Sequence, residues 1–600
     1  MKGKFKLIGG FVLLSLLAGC SKNTGNTVKT TPQNDSSKKS TIISKIDQTK
    51  WKYQKEDNVY WQVGISYCSN PADTQYETLG IYVPGAYMNA KENGDGTYTC
   101  TINQKEKVGN YTADTAPVVI PVDTPGYSAM AAPTDYNSKV SAYTNEGFVY
   151  VNPGCRGRDA GAPAGVTDLK AAVRYIRYRK SEIPGSMDHI FTFGMSGGGA
   201  QSALMGATGD SELYTPYLNE IGAVSNTSDA VAGSMCWCPI TNLDYADEAY
   251  EWNMGVTRTG LDGETQKLSD EMAKSFANYI NKIGLKDENG NVLTLTKSKE
   301  GIYQSGSYYE YLKDVVENSL NHFLEDTTFP YSAQTTGKGG MRGADNGERP
   351  DRGNLRDGEK PDKGQLPDGQ LPDKKDGNDA DIPIEERDGV NRKEISGGVA
   401  LAGSYETIQD YIDALNTDTT WVTYNKKTKK ATITSMADFV TACKNAFKNV
   451  GAFDDLDKNQ PENELFGYGN GTSAHFDPVM ADLLKNNEKY GQTYQEDLKK
   501  KDALGNTVDY RANMYNPMYY LCNYYKGYQT STVAKYWRIR TGINQGDTAL
   551  STEVNLALAL NNYKNTEVDF ETVWGQAHVE AERTGDSSSN FIAWVNDCVK

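Results

Sequence analysis

Three side chains in this sequence have the types and the order needed to turn a hydroxyl into a nucleophile for acyl transfer: Ser196, Asp547 and His578. Ser196 sits in Gly194-Met195-Ser196-Gly197-Gly198-Gly199, a G-x-S-x-G pattern. Such a serine stands on a sharp strand-to-helix turn, and the small residues around it keep bulk away from the neighbouring backbone. A serine hydroxyl is a weak nucleophile until a neighbouring base takes its proton, and that base is most often histidine. The chain has only 4 His. His189 stands at the mouth of the strand that leads to Ser196, so it lies at the wrong end and reads as structural. His322 and His475 fall in a long polar block and read as surface or packing residues, although Gly471-Thr472-Ser473-Ala474-His475-Phe476 can reach a pocket from there. His578 remains, in Trp574-Gly575-Gln576-Ala577-His578-Val579-Glu580. Asp547 lies in the loop after the preceding strand, which gives the chain order serine, acid, histidine. Its other reading is a turn-stabilising Asp after Gly546.

The elements that must carry these residues are legible from apolar runs. Trp51 to about Asn110 alternates as antiparallel strands do, at Tyr60 to Ile65 and Leu79 to Pro84. Ala116-Pro117-Val118-Val119-Ile120-Pro121-Val122 reads as a buried strand, followed by Asp123-Thr124-Pro125-Gly126-Tyr127. A loop at this place can offer an oxyanion-hole N–H from Gly126 or Tyr127, but not from Pro125, which has none. Gly147 to Gly154 is a further strand. Thr167 can cap a helix with Leu169, Ala172, Val173 and Ile176 on one face, and the strand into Ser196 comes next. Ala230 to Cys236, Tyr536 to Arg540 and Val568 to Val573 complete the strand set, and the last helix buries Phe591, Trp594, Val595 and Cys598. Strand, helix, strand, turn and helix in this order predict a doubly wound, mostly parallel sheet of the α/β-hydrolase type. The core is expected over 51–252 and 501–600. Residues 253–500 between them read as a large, mainly helical lid insertion, with a disordered stretch at 336–396 rich in Gly, Pro, Asp, Lys and Arg.

Lys2, Lys4 and Lys6 precede an apolar run from Leu7 to Leu17, which has the form of an export signal over 1–20. It ends Leu17-Ala18-Gly19-Cys20, similar to a bacterial lipobox. This predicts lipidation of Cys20, a tether over 21–50, and a protein held on the membrane facing out of the cytoplasm. A net charge of −16 argues against a nucleic-acid surface. Cys68 and Cys100 flank a hairpin-like stretch and can pair, although pairing is not readable from spacing. Cys236-Trp237-Cys238 lacks the second ligand pair of a zinc site. No metal and no cofactor is implied.

Phe193 to Gln201, Gly154-Cys155-Arg156-Gly157-Arg158, Cys236 to Asp244, Trp537 to Leu550 and the His578 loop together resemble the bacterial subtype B tannases, relatives of the bacterial feruloyl esterases. The resemblance covers about 51–252 and 501–600. It implies a serine esterase acting on galloyl or hydroxycinnamoyl esters, with Ser196 as nucleophile, His578 as base and the Gly197 N–H in the oxyanion hole. In that family the acid loop has two Asp separated by one residue. The first completes the triad and the second contacts a phenolic hydroxyl of the substrate. This chain has Gln545 at the first position and Asp547 at the second. Replacing a triad Asp by its amide in a serine protease costs about 10⁴ in kcat, through the wrong histidine tautomer. Asp547 is therefore expected to serve as the acid, with Gln545 on the substrate side. The function expected is hydrolysis of small-molecule or plant-derived esters. The alternatives are a peptidase or broad carboxylesterase of the same fold, and a ligand-binding lipoprotein without catalysis.

Overall fold

Val118-Val119-Ile120-Pro121-Val122 and Ile190-Phe191-Thr192-Phe193-Gly194-Met195 are apolar along almost their whole length, as strands covered on both faces must be. They form the centre of the sheet. The structure is a computed structural model that describes residues 43–299, 301–333, 403–444, 446 and 448–600. The expected export signal, Cys20, most of the tether and the 336–396 stretch lie outside the described residues.

The strands that build the sheet are β1 (Lys52–Gln54), β2 (Val59–Ser66), β3 (Thr78–Pro84), β4 (Val118–Val122), β5 (Val149–Pro153), β6 (Ile190–Met195), β7 (Gly233–Trp237), β8 (Tyr536–Gly542) and β9 (Glu567–Val573). Their order across the sheet is β1-β2-β3-β5-β4-β6-β7-β8-β9. From β5 to β9 every neighbouring pair is parallel, and β1 to β3 add an antiparallel edge. The mostly parallel, doubly wound α/β-hydrolase sheet expected from the sequence is present. Parallel register sets the ends of β6, β7 and β8 side by side, with Met195 opposite Trp237 and Trp237 opposite Arg540. The loops that leave those ends meet in one place, which is where open α/β sheets bind ligands.

Helices α1 (Ala164–Tyr178) and α2 (Gly197–Ala207) flank β6 in sequence. Leu169, Ala172, Val173 and Ile176 are buried as their spacing requires. Thr167 is not the cap, however. The helix starts at Ala164 after Pro163, and the Thr167 hydroxyl donates to the Pro163 carbonyl at 3.0 Å. Proline at the mouth of a helix has no N–H to leave unsatisfied, so the helix begins one turn earlier than the capping residue suggests.

Between β7 and β8 the chain makes helices α3 (Ala246–Met254), α4 (Gly263–Ile283) and α5 (Ser307–Asp326), and later the short α6 (Pro461–Leu465). The block also holds short strands, and the expected tether needs correcting. Val422–Asn425 pairs with Lys430–Ile433, and Tyr331–Ala333 with Gly403–Tyr405. Runs of three or four residues are too short to show alternation. The sheet re-enters at Tyr536, where the sequence places it, and helices Val508–Met514 and Pro517–Leu521 precede it. The tether also ends before Lys50: Ile46 is buried, and its N–H donates to Glu182 Oε2 at 3.1 Å. The eight described cysteines carry free thiols, Cys68 and Cys100 among them.

After β8 come helix α7 (Leu550–Asn562), β9 and the last helix α8 (Ser587–Cys598). Backbone packs closely where β6 turns into α2. A Cβ on Gly198 would stand 2.0 Å from the Val122 carbonyl oxygen, and one on Gly197 would stand 2.5 Å from the Tyr127 nitrogen. Backbone meets backbone there, and no side chain can move aside. Gly198→Ala is expected to destabilise the protein by about 2–3 kcal/mol, while Gly263→Ala, which faces open space, leaves stability unchanged or slightly raised. Thermal denaturation of the two variants checks the contrast.

Candidate active site

Ser196 follows β6 and precedes α2 with φ 59° and ψ −124°. A non-glycine residue in such a conformation costs about 1–3 kcal/mol and persists only where its surroundings enforce it. Here they do. The Ser196 N–H donates to the Trp237 carbonyl at 2.9 Å, and the backbone contacts of Gly197 and Gly198 close the other side. The residue is 9% exposed.

The turn Pro125–Tyr127 after β4 packs on the start of α2. Gly126 has φ 53° and Tyr127 φ 60°. The Tyr127 N–H is engaged by the Thr124 carbonyl at 2.9 Å, and its buried hydroxyl donates to the Ile240 carbonyl at 2.7 Å. The Gly126 N–H has no acceptor among the described residues, and its nitrogen lies 3.2 Å from where a Gly197 Cβ would stand. The Gly197 N–H belongs to the first turn of α2, whose amides have no partner within the helix. Of the two residues open from sequence, Gly126 is therefore the one whose amide is available beside Gly197, and Tyr127 is not. Arg158 holds this turn from outside. Its Nη1 donates to the Gly126 carbonyl at 2.8 Å and its Nε to Glu464 Oε2 on α6 at 2.7 Å.

His578 lies in the loop after β9, which is tied to the strand ends by a buried charge. Arg538 on β8 meets the Glu582 carboxylate through Nη1 at 2.7 Å and Nη2 at 2.8 Å. The Trp237 indole N–H donates to Glu582 Oε1 at 3.0 Å, and the Cys238 thiol to the Val579 carbonyl at 3.3 Å. One strand end, Trp237-Cys238, thus binds both the Ser196 amide and the loop that carries His578.

The partner of His578 is not the one expected. Its Nδ1 lies 2.6 Å from Gln545 Oε1 and 3.8 Å from Asp547 Oδ2, and the longer distance is not a hydrogen bond. Gln545 is buried, so it stands behind the imidazole rather than on the substrate side. The cause is local. Its Nε2 donates inward to Thr541 Oγ1 at 2.8 Å and Glu553 Oε1 at 2.5 Å, which draws the amide into the core. Asp547 stays at the mouth of the loop with its side chain 35% exposed. Burial disfavours the imidazolium of His578. The Asp547 carboxylate, with smaller help from the Cys238 sulfur and Glu553, outweighs that effect and pushes the pKa up to about 9.

The other three histidines are apart from this group. The His189 carbonyl accepts the Val118 N–H ahead of β6. His322 Nδ1 meets Glu571 Oε1 at 2.8 Å. His475 is buried in the inserted block, with Nδ1 2.7 Å from Asp454 Oδ1 and its ring stacked on Tyr494 at 3.5 Å. Reading the sequence missed Glu553 and Lys444. Glu553 is a buried acid in the first turn of α7, and burial holds its pKa above the usual carboxylate range. Lys444 is buried too. It donates to the Ile543 carbonyl at 3.1 Å, and burial pushes its pKa down to about 8. As the one charged residue of α7, set among buried apolar neighbours, Glu553 carries a signal of its own. Among the described residues no group of His, Cys, Asp and Glu can hold a metal ion.

A family model described as BD-FAE matches residues 108–283. No curated protein matches the chain. Among solved structures, a Fusobacterium nucleatum tannase is similar at 25% identity and a TM-score of 0.62, over 90% of this chain and 95% of that one. The tannin acyl hydrolase of Lactobacillus plantarum is similar at 23% identity and a TM-score of 0.58, over 90% and 94%. A tannin acyl hydrolase in complex with ethyl gallate gives the same values. In its sheet order, its strained serine turn and these similarities, the chain is a tannase- and feruloyl-esterase-like α/β-hydrolase.

Proposed function

We propose that this protein hydrolyses carboxylic esters of phenolic acids through an acyl-enzyme on Ser196. The observation that carries the reading is the strained Ser196 turn, bound by its amide to the same strand end that fixes the His578 loop. His578 Nε2 takes the proton of Ser196 Oγ as the oxygen attacks the ester carbonyl carbon. The carbonyl oxygen becomes an oxyanion and is held by the N–H groups of Gly126 and Gly197, in a site largely shut from water where such donors are most effective. The intermediate collapses, the C–O bond to the alcohol breaks, and the alcohol leaves with the proton from Nε2. Water then gives a proton to Nε2 and attacks the acyl carbon, and as this second intermediate collapses Nε2 returns the proton to Ser196 Oγ and the acid is released. The ethyl gallate held by a similar tannin acyl hydrolase supports a phenolic acyl group. The half-exposed Asp547 carboxylate is suited to accept a hydrogen bond from a phenolic hydroxyl. The inserted block, pinned to the Gly126 turn through Arg158 and Glu464, serves in this reading as a lid. Lys2 to Cys20 is read as a lipoprotein signal, with the enzyme anchored by lipid on Cys20 outside the cytoplasm.

Hydrolysis of p-nitrophenyl acetate, methyl gallate and methyl ferulate by wild type and Ser196→Ala tests the reading. Turnover of the phenolic esters that disappears in the variant is expected, and a variant that retains it would overturn the assignment of Ser196. The raised pKa of His578 sets the pH dependence. Nε2 is a base only in the neutral imidazole, so kcat/KM is expected to rise with pH and reach half its plateau near pH 9. Asp547→Asn removes the charge that favours the imidazolium. The pKa falls and the half-plateau moves down by about one pH unit or more. The pH profile of both proteins on p-nitrophenyl acetate, which has no phenolic acyl group to contact, reads the shift.

A further inference from the structure

We propose that Glu553 is a positioning residue for His578: acting through Gln545, it fixes the imidazole in the tautomer that can accept a proton from Ser196. The inference rests on Ser196 and His578 being the reacting pair. An amide beside Nδ1 is ambiguous, because it can present either its oxygen or its NH₂ group. If it presents NH₂, Nδ1 must accept, the proton sits on Nε2, and the base is blocked. That is the handicap of an amide in place of a triad acid, about 10⁴ in kcat.

What lies behind Gln545 removes the ambiguity. Glu553 Oε1 stands 2.5 Å from Gln545 Nε2 and 2.7 Å from Thr548 Oγ1. Glu553 Oε2 is buried and has no partner among the described residues. Were the carboxyl protonated, its proton would therefore sit on Oε2, and Oε1 would still accept. In either state Oε1 takes the amide N–H, Nε2 of Gln545 points to it, and Gln545 Oε1 has to face His578 Nδ1 at 2.6 Å. A carbonyl oxygen there requires a proton on Nδ1, which leaves the Nε2 lone pair for the serine. Thr541 Oγ1, 2.8 Å from the same Nε2, reinforces the orientation. Glu553 also lies in the first turn of α7, where a carboxylate favours the helix dipole. A residue present only for the helix would not govern the histidine proton, and this separates the two roles.

The test is Glu553→Gln, which keeps the shape but lets the amide behind Gln545 offer either end. On p-nitrophenyl acetate kcat is expected to fall by between about 10² and 10⁴, with KM within about twofold. Nitrogen-15 NMR above the His578 pKa, with the signal assigned by loss in His578→Gln, should find the proton on Nδ1 in wild type and on Nε2 in Glu553→Gln. The exchange Gln545→Glu/Glu553→Gln puts a carboxylate against Nδ1 and an amide behind it, and should restore most of kcat and the Nδ1 proton. Three results overturn the proposal: an Nε2 proton in wild type, full kcat in Glu553→Gln, or lost activity with the Nδ1 proton intact. Should Glu553→Gln fail to fold by circular dichroism, the wild-type tautomer and the exchange variant still decide. A wild-type protein that hydrolyses no ester defeats the acyl-transfer reading alone, since the tautomer is read without turnover.

Discussion

The backbone of the serine turn and the backbone of the Pro125–Tyr127 turn lie against each other with no side chain between them. Val122, the last residue of β4, leaves no room for a Cβ on Gly198, and Tyr127 leaves none on Gly197. This contact sets the distance between two neighbouring strand ends more tightly than side-chain packing could. It forces Ser196 into its left-handed conformation. It also brings the backbone of Gly126 and Gly197 together without a flexible group to blur their spacing. Elements farther out adjust to it. Arg158 braces the turn and is itself held by Glu464 of the inserted block, and Trp237 holds the Ser196 amide from β7.

The histidine side of the site depends on buried charge instead. Arg538 and Glu582 are both almost fully enclosed, and each satisfies the other through two hydrogen bonds. Separating such a pair leaves an uncompensated charge, a cost of about 3–5 kcal/mol. The loop that carries His578 therefore has one stable position relative to β7 and β8. Beneath it, Thr541, Gln545, Thr548 and Glu553 form a second enclosed group, with Lys444 supplying positive charge nearby. The serine is held by steric exclusion and the histidine by electrostatics.

That difference explains what could be read from the sequence. The serine turn is local: glycines at fixed offsets from Ser196 and an apolar run before it carry the whole signal, and strands β4 to β9 follow from similar runs. His578 emerged because so few histidines compete with it. The acid loop was opaque. Gln545 and Asp547 are two residues apart and both polar, and which of them faces the imidazole is decided by Thr541 four residues before Gln545 and Glu553 eight residues after it. No period or pattern in the loop encodes that choice. Glu553 itself was visible as a charge among Val554, Leu556 and Leu558, all buried, although its consequence was not. The short ladders at 331–333 and 422–433 depend on tertiary contacts that three- or four-residue runs cannot announce.

The neutral amide against Nδ1 separates two tasks that a single buried carboxylate performs elsewhere. Gln545 orients the ring but brings no charge, and the countercharge for a protonated His578 comes mainly from Asp547, which solvent can reach. Small ions approach an exposed carboxylate freely, and at about 0.15 M ionic strength the field of such a group fades over roughly 8 Å. Orientation of the imidazole is thus insulated from the medium, whereas its basicity is open to it. An organism living in dilute or in saline surroundings would meet the same geometry with a differently tuned base.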